Sequence, residues 1–217
     1  MTVPALGMAR WDAVSTVSTT GNEAVADTAE TPEHTAVRAA AQRAAGAAPG
    51  VRSAGGAAVD AALRTMAAAL RDRTVDLLAA NTADVDVAER GGMTGGLLDR
   101  LRLTPERLAD MAVQLEVLAD TPEPALQRFV RTLPTGERVF ERRVPVGVIG
   151  AVFEARPNVT IDVASQVLKA RSAAVLRTGA AALGSATALV ELVIAPSLRE
   201  NGVPAEAVQL VPTPGHA

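Results

Sequence analysis

Two short segments of this 217-residue chain carry the side chains best suited to chemistry. The first, Glu154, Ala155, Arg156, Pro157 and Asn158, follows the apolar run VGVIGAVF; the second, Arg177, Thr178 and Gly179, follows AAVL. If both runs are parallel strands, both segments fall at the carboxyl edge of one sheet, where open α/β sheets bind ligands. Backbone N–H groups at a helix start and the Arg156 guanidinium favour an anion there. The competing reading pairs Arg156 with Glu154 or with a carbonyl. Arg177 stands where dinucleotide folds meet the adenosine ribose, and a cation at that place accommodates the 2′-phosphate of NADP, whereas an acid selects the free hydroxyl of NAD. A plain surface arginine is the bland alternative. No G-x-G-x-x-G follows the first run: GVIG lies inside it, and Gly147 and Gly150 read as packing residues.

Nucleophiles and metal ligands are scarce. The chain has no cysteine, which excludes disulfides, thiolate metal sites and a cysteine nucleophile within it, and its two histidines, His34 and His216, stand near opposite ends, so no metal cluster is expected. Hydrophobic residues make up 48% of the chain and aromatics 2%, so its core must be built from Ala, Val, Leu and Ile. A net charge of -3 gives no polyanion-binding surface, and nucleic acid is not an expected partner. The start MTVPALGMAR lacks a basic segment followed by an apolar run, and no uninterrupted apolar stretch is long enough to span a bilayer. A cytoplasmic compartment, with no membrane partner, is therefore expected.

The elements that must position the two segments follow from periodicity. Residues 1–35 are rich in Thr, Ser, Ala and acids, and every formal charge between Arg10 and Arg38 is negative, which reads as a disordered acidic tail. Residues 36–125 read as a helical segment. Leu63, Met66, Leu70 and Leu77 recur at helical intervals as one amphipathic helix. A second helix starts with Thr104 as N-cap and Pro105 in its first turn, with Leu108, Met111, Leu115 and Leu118 as its buried stripe. Between them ERGGMTGGLLDR is a glycine-punctuated connection. Residues 126–144 read as a β-hairpin turning at LPTG. From 145 to 217 the pattern is βαβ: VGVIGAVF as a strand buried on both faces, a helix capped by Asn158 and running to about Ala170, AAVLR as a parallel strand, a helix from about Leu183 to Asn201 that Pro196 kinks or ends early, and AVQLV as a third strand.

The segment ERRVPVGVIGAVFEARPNVTIDVAS, with LLDRLRLTPERLADMA before it and VLRTGAAA after it, resembles the gamma-glutamyl phosphate reductases (glutamate-5-semialdehyde dehydrogenases) of the aldehyde dehydrogenase superfamily, from about Ala36 to the C-terminus. VPxGVIG is shared across that superfamily, whereas EARPNVT is close to specific for the reductase. The resemblance implies an α/β fold: an incomplete aldehyde-dehydrogenase-like, Rossmann-type cofactor domain, preceded by the helical segment and the hairpin. It also implies NADPH-dependent reduction of L-glutamyl 5-phosphate to glutamate 5-semialdehyde with release of phosphate, in proline biosynthesis. A cysteine thiolate of the family attacks the acyl phosphate, and NADPH reduces the thioester. By position, Glu154, Ala155, Arg156, Pro157 and Asn158 border the cofactor and the cleft, with Asn158 a donor to the developing oxyanion. Arg177, Thr178 and Gly179 meet the adenosine ribose. Lys169 reads as a surface residue compensating its helix dipole.

The expected partners are the small-molecule substrate, the upstream glutamate kinase and further copies of the chain. The family is about twice as long and places its nucleophile in a later domain, so this chain is expected to be a fragment that is inactive alone. RTGAAALGS also departs from the family, which has a second glycine and a more polar continuation after the strand arginine. Two other readings compete: a non-catalytic dinucleotide-binding or interaction module, and an aldehyde dehydrogenase acting on another acyl donor such as an acyl-CoA, against which EARPNVT argues.

Overall fold

The computed structural model describes residues 31–212, so most of the expected acidic tail lies outside the described residues. Helix α1 (Pro32–Asp72) starts at Pro32 and takes in residues assigned above to the tail, with Glu33 in its first turn, where a carboxylate complements the helix dipole. Gly55 is not helical (φ 80°, ψ 172°), and α1 is two helices joined across a kink there. The single helix expected through Leu77 is also divided. Leu63, Met66 and Leu70 are buried on α1, but Leu77 is buried on α2 (Thr74–Arg90). The helical course is interrupted at Arg73 (φ -99°, ψ 15°), and the Thr74 hydroxyl donates towards the carbonyls of Leu70 (3.0 Å) and Arg71 (2.9 Å) across the break.

The glycine-rich connection contains a short helix, α3 (Gly95–Leu101). Helix α4 (Pro105–Asp120) begins as its sequence indicates: the Thr104 hydroxyl accepts the Arg107 N–H at 3.2 Å, and Pro105 fills the first turn, where a missing N–H costs nothing. Leu108, Met111 and Leu115 are buried as expected, joined by Ala112 and Ala119, while Leu118 is only half-buried.

Strands β1 (Gln127–Thr132) and β2 (Arg138–Arg142) form an antiparallel hairpin. Its turn is closed by Gly136 N–H to the Leu133 carbonyl (2.9 Å), with Gly136 at φ +97°, a conformation that favours glycine. Phe129 and Phe140 meet edge to face at 5.7 Å, with Arg138 over both rings. Both rings remain exposed.

The second sheet has three parallel strands in the order β3 (Val148–Val152), β4 (Ala173–Arg177), β5 (Val208–Leu210). Helix α5 (Pro157–Lys169) makes the first crossover. It ends in a Schellman motif: Ser172 N–H reaches the Val167 carbonyl and Arg171 N–H the Leu168 carbonyl, with Arg171 at φ 55°. The second crossover is one helical run, α6 (Leu183–Leu189), a π-helical turn (Val190–Ile194) and α7 (Ala195–Glu200). Pro196 does not end it: the run continues to Glu200. The wider turn ahead of the proline relaxes the clash its ring makes with the preceding turn. Residues Ala180–Glu200, although interrupted by Glu191, are apolar and long enough to cross a membrane by length and composition alone, with a mean hydropathy of 1.6. Here they are a core element: Ala186, Leu189, Val193, Ile194 and Leu198 are fully buried.

The main core lies between α1, α4, α5, the sheet and the α6–α7 run, and its largest fully buried side chains are Leu, Ile and Met. Burial on both faces holds for β4, where Ala173, Ala174 and Leu176 are inaccessible, but not for β3, whose Gly150 and Val152 are exposed. Among the described residues β3 pairs only with β4, which leaves it an edge strand. Neither glycine of GVIG packs closely: a Cβ on Gly147 or Gly150 would meet nothing within 4 Å. Gly147 is required instead by its φ of +108°.

Candidate functional site: the carboxyl edge of the parallel sheet

The two polar segments meet where β3 and β4 end. Val152 pairs with Arg177, and the ladder continues beyond the strands through Phe153 N–H to the Arg177 carbonyl (3.0 Å) and Gly179 N–H to the Phe153 carbonyl (3.1 Å). The Thr178 hydroxyl lies 3.4 Å from the Glu154 carbonyl, which turns that side chain inward and buries it. Close approach explains Gly179: a Cβ there would sit 3.1 Å from the Ala155 nitrogen and 3.4 Å from the Ala155 Cβ. Ala155 in turn leans on a small apolar cluster of Val85, Ala88, Leu101 and Ala182, so α2 and α3 support the loop from below.

Arg156 satisfies the structural reading and leaves something over. Its guanidinium pairs with Glu154 at 3.0 Å, yet its Nε is buried with no hydrogen-bond partner. Asn158 is not the helix cap. Arg156 occupies the N-cap position and Pro157 the first turn, so the Asn158 amide points along the helix and donates to Asp162 Oδ2 at 3.2 Å. Burial pushes the Asp162 carboxyl above its usual range, and the Asn158 hydrogen bond offsets part of that shift. Asp162 was not singled out from sequence; its only signal is the i, i+4 spacing from Asn158.

Arg156, Asn158 and Asp162 line one side of a cavity of about 330 Å³, and Arg100, Arg102 and Arg107 line the other. Two of these arginines are engaged. Arg107 chelates both Asp99 carboxylate oxygens at 3.0 Å and donates to the Arg102 carbonyl at 2.6 Å, closing the corner between α3 and α4. Arg102 pairs with Glu89 at 3.0 Å.

Lys169 is not a solvated helix-end cation. Its Nζ is 2.6 Å from Asp60 Oδ1 on α1 and 3.3 Å from the Ala119 carbonyl at the end of α4, with the Lys169 side chain 11% exposed and that of Asp60 21%. It therefore ties three helices together away from the loop segments.

The start of α6 is also taken. Asp84 of α2 accepts both the backbone N–H and the hydroxyl of Ser185 at 2.6 Å, and Gly184 leaves room for it, since a Cβ there would meet Asp84 Oδ1 at 2.6 Å. Asn81 bonds the Ser185 hydroxyl and spans the α3–α4 corner through the Leu101 carbonyl and the Leu103 N–H. A carboxylate at this position repels a pyrophosphate. The start of α6 therefore does not fit a phosphate cradle.

No family model matches the chain. The fold is that of the aldehyde dehydrogenases: an acetylating aldehyde dehydrogenase from Geobacillus thermoglucosidasius superposes with a TM-score of 0.61 over 84% of this chain and 38% of its own, a likeness of fold alone at 15% identity. Within that class the resemblance is more specific. The gamma-glutamyl phosphate reductase of Thermotoga maritima superposes with a TM-score of 0.77, 29% identical, over 82% of this chain and 43% of its own. The gamma-glutamyl phosphate reductase of Roseiflexus castenholzii is 45% identical over 161 residues, 73% of this chain and 38% of the relative. The chain is a partial-length relative of the gamma-glutamyl phosphate reductases, spanning little more than a third of the curated relatives it matches.

Proposed function

We propose that this chain forms the cofactor-side wall of a reductase that converts L-glutamyl 5-phosphate to L-glutamate 5-semialdehyde with NADPH, releasing phosphate, in proline biosynthesis. The observation that carries the reading is the 45% identity to a named reductase over 161 residues of this chain. In this reading Arg177 supports the ribose 2′-phosphate, Thr178 and Gly179 hold the strand end against Glu154 and Ala155, and Pro157 and Asn158 begin the helix that faces the reacting carbonyl. Asn158 is the proposed oxyanion donor; its amide already bonds Asp162, so its second N–H is the one available to the oxyanion. NADPH supplies the hydride when bound.

The chain itself contains no cysteine, and the thioester route needs a thiolate. Alone it is therefore inactive, and the soluble, cytoplasmic, self-associating enzyme to which this region corresponds, acting after a glutamate kinase, needs a thiolate from elsewhere. The purified chain incubated with glutamyl phosphate and NADPH is expected to show no substrate-dependent loss of absorbance at the nicotinamide band. Turnover would overturn the assignment of the nucleophile outside this chain. The absence of cysteine also favours a second reading, a binding module without catalysis, for which NADPH binding persists while no larger chain containing this segment reduces glutamyl phosphate.

A further inference from the structure

The cavity between the α3–α4 corner and the first turns of α5 is surrounded by charged groups that the fold leaves incomplete. Asp162 is half-buried, and its only side-chain partner is the neutral amide of Asn158. Arg100, across the cavity, has no ion-pair or hydrogen-bond partner for its guanidinium among the described residues. Arg156 presents a buried Nε without an acceptor although the same guanidinium already holds Glu154. A buried donor left unmet is costly and calls for an explanation in a bound group. The neighbouring Arg102 and Arg107 are already neutralised by Glu89 and Asp99.

What fits is a ligand bearing both charges. A phosphate would be attracted by Arg100 and Arg156 but would face Asp162, Asp110 and Asp99, which line the same cavity. A simple cation would face the opposite conflict with the arginines. A zwitterion satisfies both sets, and 330 Å³ is near the lower end of the ligand-cavity range of about 300–1,000 Å³, suited to a small molecule and not to a dinucleotide. We propose that this cavity binds the α-amino-acid head of the glutamyl substrate, with Asp162 accepting the ammonium and Arg100 together with Arg156 Nε donating to the α-carboxylate. The proposal rests on the reductase reading above and deepens it: Arg100, at the end of α3, and Asp162, on α5, become residues that select an amino acid over a simple diacid. Asn158, bonded to Asp162, links this head group to the loop where the reacting carbonyl would lie.

The test is a titration of the isotopically labelled full chain, followed by its amide resonances, with L-glutamate, glutarate and 4-aminobutyrate, and separately with NADPH. L-Glutamate is expected to perturb residues around Arg100 and 156–162. Glutarate, without the ammonium, and 4-aminobutyrate, without the α-carboxylate, are expected to bind at least about tenfold more weakly, the effect of losing one charge-assisted contact. Asp162→Asn should erase the preference over glutarate alone, and Arg100→Ala the preference over 4-aminobutyrate alone; both positions border solvent, and a retained amide spectrum reports a retained fold. Equal binding of L-glutamate and glutarate, or shifts away from this cavity, would overturn the proposal. NADPH binding without any response to L-glutamate overturns the subsite and leaves the reductase reading standing. No response to either ligand overturns both.

Discussion

Replacing Asp60 by alanine removes the carboxylate that holds Lys169, and the structure sets the size of the effect. An exposed ion pair contributes about 0–1 kcal/mol, whereas removing one partner of a buried pair costs about 3–5 kcal/mol because the other charge stays buried. With 11% and 21% exposure, Lys169 and Asp60 lie close to the buried limit. The Ala119 carbonyl, at 3.3 Å, still accepts one bond from the ammonium. Alanine also gains a few tenths of a kcal/mol of helix propensity inside α1. The expected loss is about 2–4 kcal/mol. With a urea m-value of about 2 kcal/mol per molar, the midpoint followed by helical circular dichroism falls by about 1–2 M. Lys169→Met together with Asp60→Leu, which replaces both charges by apolar groups, should recover most of the loss. A midpoint for Asp60→Ala within about 0.3 M of the parent would refute the claim that Lys169 depends on Asp60, as would a double variant no better than the single one.

Gly179→Ala should cost about 1–3 kcal/mol, the usual cost of overpacking, because its methyl meets the backbone nitrogen of Ala155, and it should broaden the amide resonances of 153–156. If stability and those resonances are unchanged, the two loops are not clasped as described. Thr104→Ala removes the cap acceptor for Arg107 N–H and is expected to lower stability by about 1 kcal/mol, while Thr104→Ser should be nearly neutral; equal losses for the two would locate the effect outside the cap. Asp162 has a raised carboxyl pKa in the folded chain. Its contribution to stability is fully present below the unfolded aspartate value of about 3.9 and is lost as the pH rises through the higher folded value. Relative to Asp162→Asn, the parent should therefore lose stability in urea melts as the pH rises above the unfolded value of about 3.9; the opposite slope would mean that Asp162 is stabilised as the carboxylate.

Much of this architecture is legible locally. The run through Phe153 and the shorter AAVLR announce parallel strands because they are apolar without alternation, and Thr104 with Pro105 specifies a helix start whose hydrogen bond the structure contains. Local pattern fails where the backbone departs at a single residue. Leu77 continues the spacing of Leu70, but the helix is interrupted at Arg73 between them. Asn158 has a capping side chain, yet Pro157 ahead of it moves the cap to Arg156. It fails most where charges meet across the fold. Lys169 and Asp60 are 109 residues apart and Asp84 and Ser185 101 apart, and no periodicity joins them. The residues of the two loop segments could be named in advance because strand ends are defined by sequence. Arg100 and Asp162 could not, because their juxtaposition depends on how α3, α4 and α5 pack.

The claim on which the proposed function rests is that the edge formed by residues 153–158 and 177–179 receives a phosphorylated adenosine ribose. Its most direct test compares 2′,5′-ADP with 5′-AMP on the labelled chain, since these probe the ribose end without the rest of the dinucleotide. The 2′-phosphorylated nucleotide should bind at least about tenfold more tightly, perturb the amides of Arg177, Thr178 and Gly179, and lose its advantage in Arg177→Ala. Equal affinity for the two nucleotides, or a preference that survives the loss of the Arg177 side chain, would contradict it.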